Sequence, residues 1–451
     1  MLDEIIAQNP WWREKAIDKN KIGSIERRVF GNLKKTLNSG KVACLIGPRR
    51  AGKTTLMYML MDRLVKNGTK PENIFYVSAD NAKTRMALEQ DFDSIIKDYV
   101  RSFVKVEISS LKEKIFVFID EVHKLKDWGN QVKYWHDLGL NIKFIVSGSS
   151  ALRLLKGVGE SLLGRIEFVH VYPLSFSEYT NIYKRTQLDF EKISDFHKQL
   201  LLEKEKILLK LDRYMITGGY PEVHGLETEK SFLTLREYKT LTINRDILEL
   251  REIKETRTLS DLLDLLTDHM SNRINYSTFS NILKIKVETA KKFMEYLEEA
   301  FLISTSYLYS KTHILSTRKE KKLYFTDVGL RNSLLIKEVD EGEKAKIAEN
   351  IVFSNILFNN MELLPKSFYW LDKNKNEVDM ITLIEKTPVP IEVKYSNRIE
   401  ISDLKGMKMF MKKFKTKTGI VVTKDILEKK SVVEGNLFLI PLWLFLLIDL
   451  S

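Results

Sequence analysis

Val42 to Leu56 reads VACLIGPRRAGKTTL: an apolar run, a break at Gly47-Pro48-Arg49-Arg50-Ala51-Gly52-Lys53-Thr54, then helix-forming residues from Thr55. The break fits the GxxxxGK[ST] spacing of a phosphate-binding loop without a mismatch. Its two glycines let the backbone curl so that N–H groups point at phosphate oxygens, and the helix that follows adds the positive end of its dipole. Lys53 would reach the β- and γ-phosphates, and Thr54 would place its hydroxyl on a magnesium ion bridging them. Every residue from Gly47 to Thr55 belongs to this expected nucleotide site, with Arg49 and Arg50 as loop charges rather than catalysts. A glycine-rich turn matching by chance would not also bring a strand before it and a helix after it.

A second apolar run, Ile115-Phe-Val-Phe-Ile-Asp120-Glu121, reads as a buried parallel strand with acids at its carboxyl end, where open α/β sheets keep their ligands. Asp120 is the expected magnesium partner. Glu121 is placed to polarise the water that attacks a γ-phosphate, which predicts hydrolysis as well as binding. Asn141 to Ser150 reads as another buried strand ending in hydroxyls, of which Ser147 or Ser149 would bond the γ-phosphate or its water; a small-residue turn without a role explains them equally.

After a helix from Ala151, Gly164-Arg165 precedes an apolar strand and Pro173-Leu-Ser-Phe. Loop, acid-tipped strand, polar-tipped strand and this series together resemble the AAA+ ATPases, in particular an archaeal and bacterial type with an additional C-terminal domain. The resemblance implies ATP and Mg²⁺ as ligands and self-association into a ring, with a hexamer as one size. It also implies that Arg165 reaches the ATP site of the next subunit, where its planar charge would steady the transferring phosphoryl group. An ordinary surface arginine is the alternative. Residues 174–245 read as a charged helical lid broken at Thr217-Gly218-Gly219-Tyr220-Pro221, which resembles a turn that related ATPases bring against adenine. A plain helix-to-helix turn also fits.

From residue 246 to 335 the pattern changes to short helices and a hairpin, the arrangement of a winged helix. Its second helix carries Lys291 and Lys292, and its wing carries Lys311, Arg318, Lys319, Lys321 and Lys322, so duplex or branched DNA is the expected partner. Winged helices also serve protein contacts. In residues 336–451, a helix containing Glu349 is followed by strands bearing Asp379 and then Glu392 with Lys394, two apart and hence on one face. This resembles the PD-(D/E)xK nuclease core, although Val378 stands where that pattern has proline. The resemblance implies Mg²⁺ or Mn²⁺ on Glu349, Asp379 and Glu392, with Lys394 serving the attacking water. Lys412 and Lys413 on the next helix would lie along the DNA backbone. A salt-bridged hairpin in a binding domain remains the other reading.

The rest of the chain frames these sites. The 451 residues carry 73 Lys and Arg against 61 Asp and Glu, a formal charge of +12 that suits a polyanion or merely a soluble surface. The single cysteine, Cys44, excludes internal disulfides and cysteine metal cages and fits the cytoplasm. The first residues lack the pattern of a signal peptide, and the apolar tail Asn436 to Ser451 is too short and too broken by Pro441 to span a membrane. Trp11 and Trp12 are expected as packing anchors or as caps on a neighbouring subunit.

The sequence thus predicts an α/β protein in four parts: a P-loop core with parallel sheet (1–173), the lid (174–245), the winged helix (246–335) and a restriction-endonuclease-like α/β domain (336–451). The function expected is ATP-driven DNA processing with metal-dependent cleavage. The competing one is a nucleotide-controlled switch or scaffold that binds DNA or protein without cutting.

Overall fold

The computed structural model describes residues 2–149, 154, 158, 162, 164–248, 256–310, 320–336, 339–359 and 367–450. It divides into two units, Met1–Tyr172 and Pro173–Ser451.

In the first unit, β1 (Val42–Ile46), β2 (Ile74–Ser78), β3 (Ile115–Asp120), β4 (Ile142–Gly148) and β5 (Ile166–His170) form a parallel sheet in the order β2-β3-β4-β1-β5. Every position of β1 and β3 is buried, which is why both read as unbroken apolar runs rather than alternating ones. Because all five strands run the same way, the loop after β1, the acids after β3 and the hydroxyls after β4 emerge at one edge. Cys44 is enclosed within β1, and burial pushes its thiol pKa up, so it is inert.

The amino-terminal segment closes the outer edge of β2. Trp11 and Trp12, both buried, donate their indole N–H groups to the Ile74 carbonyl at 3.0 and 2.8 Å. The Asn9 amide takes the Tyr76 N–H at 2.7 Å and donates to the Tyr76 carbonyl at 2.8 Å, as a neighbouring strand would. Both tryptophans are therefore anchors within their own unit.

The second unit combines helices with an eight-stranded mixed sheet. A two-residue strand, β6 (Lys184–Arg185), comes first in the chain; β7 (Ile303–Leu308), β8 (Lys322–Phe325), β9 (Ser367–Leu371), β10 (Glu377–Ile384), β11 (Thr387–Lys394), β12 (Thr418–Thr423), β13 (Glu428–Val432) and β14 (Gly435–Pro441) follow. Their order is β13-β14-β12-β11-β10-β9-β7-β8, while β6 pairs with β15 (Ile448–Asp449). Helices Tyr276–Leu283 and Val287–Glu299 precede the β7–β8 hairpin, but β7 also pairs with β9. Residues on either side of 335/336 thus share one sheet, and the hairpin forms its end rather than a free wing. The expected wing residues Lys311, Arg318 and Lys319 lie outside the described residues.

The Thr217-Gly218-Gly219 turn is fastened within this unit. Asp327 caps the helix Val328–Leu334 by accepting from Leu330 N at 2.9 Å, and it also accepts from Gly219 N at 2.7 Å. Gly218 has φ +71°, and a Cβ there would meet Asp327 Oδ1 at 2.2 Å, so only glycine fits. Helix Lys405–Phe414 buries Met407, Phe410 and Met411 against Trp370, Val378 and Val421 of the sheet. The apolar tail closes the core through β14 and the buried Leu442–Phe445 turn. Among the described residues no helix is long and apolar enough to cross a membrane.

Candidate active site

The loop after β1 is built as the phosphate cradle the sequence predicts. A Cβ on Gly47 would lie 1.9 Å from the Val171 carbonyl, so the first glycine is required by the close passage of the chain beyond β5. Gly52 opens the helix Lys53–Lys66 at φ +96°, and Arg50 also takes a positive φ, +64°. Lys53 is buried and its ammonium donates to the carbonyls of Gly47 and Pro48 at 2.9 and 2.8 Å, which keeps the charge at the mouth of the loop. Ala51 is buried, Arg49 and Thr55 are half-buried, and Arg50 is exposed.

Across the sheet edge, the exposed Thr54 donates its hydroxyl to Asp120 Oδ2 at 2.7 Å. Tyr76 donates to the same oxygen at 3.1 Å, and Ser147 bonds the other. Burial, and then the neighbouring Glu121, raise the Asp120 pKa against the hydrogen bonds from Ser147 and Thr54. A hydroxyl and a carboxylate facing each other, with electrostatic strain that a cation would relieve, fit a magnesium ion held by Thr54 and Asp120. Glu121 stands just past the strand at φ +53°, a strained conformation for a residue with a side chain. Ser147 Oγ accepts from its N–H at 3.1 Å, while Ser149 and His123 Nδ1 approach its Oε2 at 3.4 and 3.3 Å. The hydroxyls after β4 therefore touch the acid pair.

Arg165 is half-exposed and its Nε donates to Asp137 at 2.9 Å. Pro221, in the second unit, is half-buried beside the glycine turn. Lys291 and Lys292 are exposed on their helix, 5.7 and 5.9 Å from the ring centres of Tyr276 and Tyr296. Lys321 stacks on Tyr307. Lys412 and Lys413 are exposed on the Lys405–Phe414 helix, the latter over Trp370 at 5.4 Å.

The second expected site is assembled, with a lysine ammonium among its acids. A shift in register between Val378 and Ile381 marks a β-bulge at Asp379, which aims its Oδ2 at Val393 N, 2.9 Å away on β11. Glu392 Oε2 lies 3.4 Å from Asp379 N, and Lys394 Nζ lies 2.8 Å from Glu392 Oε1. Glu349 comes in from helix Glu341–Asn359, held by the Tyr324 hydroxyl at 2.8 Å. Burial, followed by repulsion from Asp379, raises the pKa of both Glu349 and Glu392.

Into this cluster points Lys322, expected on a DNA-facing wing yet only 2% exposed. Its ammonium lies 2.9, 2.8 and 3.1 Å from Glu349, Glu377 and Asp379. Burial works against its charge, and Tyr324, followed by Glu349, Asp379 and Glu377, outweighs that and raises its pKa well above the usual lysine range. Among the described residues no three acidic, histidine or cysteine side chains are grouped to hold a metal ion. A Mg²⁺ or Mn²⁺ ion on Glu349, Asp379 and Glu392, as expected from the sequence, would have to share this space with the Lys322 ammonium. Lys322 is removed from the DNA-binding set.

Three further residues escaped the sequence reading. The buried Arg27 guanidinium donates to the carbonyls of Ala51 and Tyr172 at 2.9 and 2.7 Å, clamping the phosphate loop to the end of the sheet. Nothing in its local sequence marks it. Tyr76 could have been suspected from its place on the strand beside β3, and His123 from its spacing after Asp120-Glu121.

Three family models match parts of the chain. Residues 39–180 match the family model described as AAA domain, residues 208–341 a domain of unknown function (DUF8612), and residues 344–445 another (DUF4143). The chain is 25% identical over 376 residues to an uncharacterized protein of Methanocaldococcus jannaschii, covering 82% of this chain and 78% of that one. It is 26% identical over 323 residues to one of Haemophilus influenzae, with 70% and 74% covered. Among solved structures, a Walker-type ATPase of Pyrococcus abyssi superposes with a TM-score of 0.42 at 16% identity, over 71% of this chain and 97% of the other. The segment 39–180, which holds the phosphate loop and the acid-tipped third strand, is thus similar to the AAA domain family over about a third of the chain.

Proposed function

We propose that the chain hydrolyses ATP at the loop and acid pair, and that turnover drives its action on a nucleic-acid backbone bound by the second unit. The observation that carries the first half is the 2.7 Å hydrogen bond from Thr54 to Asp120, which sets the two magnesium-holding oxygens face to face with Glu121 beside them. Bound ATP would supply the phosphoanhydride, and a magnesium ion would supply positive charge to offset its phosphates. The loop N–H groups and Lys53 hold the phosphates and offset their charge, Thr54 and Asp120 hold the metal, and Glu121 orients the water and takes its proton. Tyr76 and Ser147 fix the Asp120 carboxylate so that it need not reorganise when the cation arrives.

The second half rests on the helix Lys405–Phe414. Its apolar face is spent on the sheet, and its outer face shows Lys405, Lys412 and Lys413 with no acid between residues 404 and 418. Such a face binds phosphates without reading bases. Cleavage is left out of the proposal, because Lys322 occupies the cluster that would need a metal. Turnover by the purified protein, with and without duplex and branched DNA, tests the reading. A rise with DNA supports it. Unchanged turnover would favour the switch or scaffold, and no turnover at all would remove the ATPase assignment.

A further inference from the structure

Beyond the ATPase reading, and independent of it, the acid cluster of the second unit raises its own question. Four carboxylates, Glu349, Glu377, Asp379 and Glu392, converge there from one helix and two strands. Such a cluster, largely withdrawn from water, is costly unless its acids are protonated or a cation sits among them. In a metal-dependent enzyme that cation is divalent, and its oxygen ligands close to about 2.0–2.6 Å. Here the nearest positive centre to Glu349, Glu377 and Asp379 is Lys322 Nζ at 2.8–3.1 Å, the spacing of charge-assisted N–H···O bonds. An ammonium has three donors; this one is hydrogen-bonded to Asp379 and ion-paired with Glu349 and Glu377. The fourth acid, Glu392, is matched by Lys394 at 2.8 Å. The carboxylates are thus spaced for nitrogen.

The lysine reaches them from β8, a strand of the hairpin that joins the sheet through β7, so one side chain links the hairpin to β10 and to helix Glu341–Asn359. We propose that Lys322 is a built-in counterion that stands in the position of a divalent metal, so that the second unit is metal-independent and its cation site is masked by its own chain. An ion entering the cluster would have to expel a buried ammonium with 3% of its side chain exposed, leaving that charge unpaired.

The test uses full-length protein without nucleotide, in an Asp120→Asn background that silences the ATP-site metal, and reads Mn²⁺ binding by electron paramagnetic resonance together with melting temperature. With Lys322 present, the proposal expects no Mn²⁺ site that depends on Asp379, and a melting temperature unmoved by Mn²⁺ or EDTA. Lys322→Met, of similar length and uncharged, should melt lower, gain one bound Mn²⁺, and recover melting temperature as Mn²⁺ is added. Adding Asp379→Asn should remove that gain. Mn²⁺ bound to protein that retains Lys322, and lost on Asp379→Asn, overturns the proposal. So does a folded Lys322→Met protein that binds no Mn²⁺. Where Lys322→Met does not fold, the protein retaining Lys322 decides alone: absence of an Asp379-dependent site supports the proposal, and its presence sinks it.

Discussion

His123 Nδ1 lies 3.3 Å from Glu121 Oε2, and the imidazole, with 2% of its side chain exposed, has no freedom to leave. It is wedged against Gly148, where an added Cβ would come within 2.8 Å of the same nitrogen. The Glu121 carboxylate therefore packs close beside a buried ring. Glu121→Gln should keep nucleotide binding and lose roughly 10²- to 10⁴-fold in turnover, the usual span for a general base. His123→Ala should lower kcat by a smaller factor and leave KM for ATP nearly unchanged, since the ring touches the acid and not the phosphates. A steady-state titration of both variants checks this. A change confined to KM would assign His123 to binding instead.

Arg165 pairs in its own chain with Asp137, an exposed contact that water and salt screen. If it serves a neighbouring ATP site, Arg165→Ala should bind ATP normally and hydrolyse it slowly, while Asp137→Ala should turn over as the unaltered protein does. Mixing Arg165→Ala with Lys53→Ala should restore part of the activity, because mixed assemblies join an intact loop to an intact arginine. Assemblies that form but recover nothing at any ratio would confine Arg165 to its own surface.

Replacing Lys405, Lys412 and Lys413 by Glu should weaken duplex binding for all sequences alike. The slope of log affinity against log salt should fall by about 1 for each lysine that touches phosphate. Fluorescence anisotropy at several salt concentrations reads both. Unchanged slope and affinity would move the nucleic-acid face elsewhere, for instance to Lys291 and Lys292.

Asp327 is enclosed, and burial pushes its carboxyl pKa up to about 6, against backbone N–H bonds that favour the charged form. With the folded value above the unfolded one, the native state binds more protons between about pH 4 and 6. Stability from this group is present below pH 4 and is lost as pH rises through 6, by about 3 kcal/mol at neutrality. Glu349 and Glu392, also raised, act with the same sign. Asp327→Asn keeps one of the two acceptor oxygens that Gly219 and Leu330 use and should flatten the pH dependence of urea unfolding over that interval, at a cost in stability that does not vary with pH. An unaltered slope would mean the carboxyl is already ionised at low pH.

The nucleotide site was legible because its parts are local: a loop of fixed spacing and strands whose uninterrupted apolar runs announce burial on both faces. What sequence could not supply were partners fixed by distance in space. Arg27 bonds Ala51 and Tyr172, 24 and 145 positions away, and no periodicity encodes such a clamp. In the second unit the strands bearing Asp379 and Glu392 were legible from their alternation. Lys322 was misread for a physical reason. It adjoins a basic loop in sequence and was grouped with it, yet period-two alternation puts it on the face of Tyr324, which bonds Glu349. Composition of a segment outweighed the direction of one side chain.

The Asn9 amide and the two indoles on β2 bear on how copies of this chain can meet. An outer strand with free N–H and C=O groups is a template on which a second polypeptide can add itself, end to end, into aggregates. Here Ile74 and Tyr76 have already given those groups to side chains. That side of the sheet is closed to strand addition, which leaves association to side-chain surfaces that can be both specific and reversible. A truncation that removes the first dozen residues would reopen the template and expose the chain to edge-to-edge precipitation.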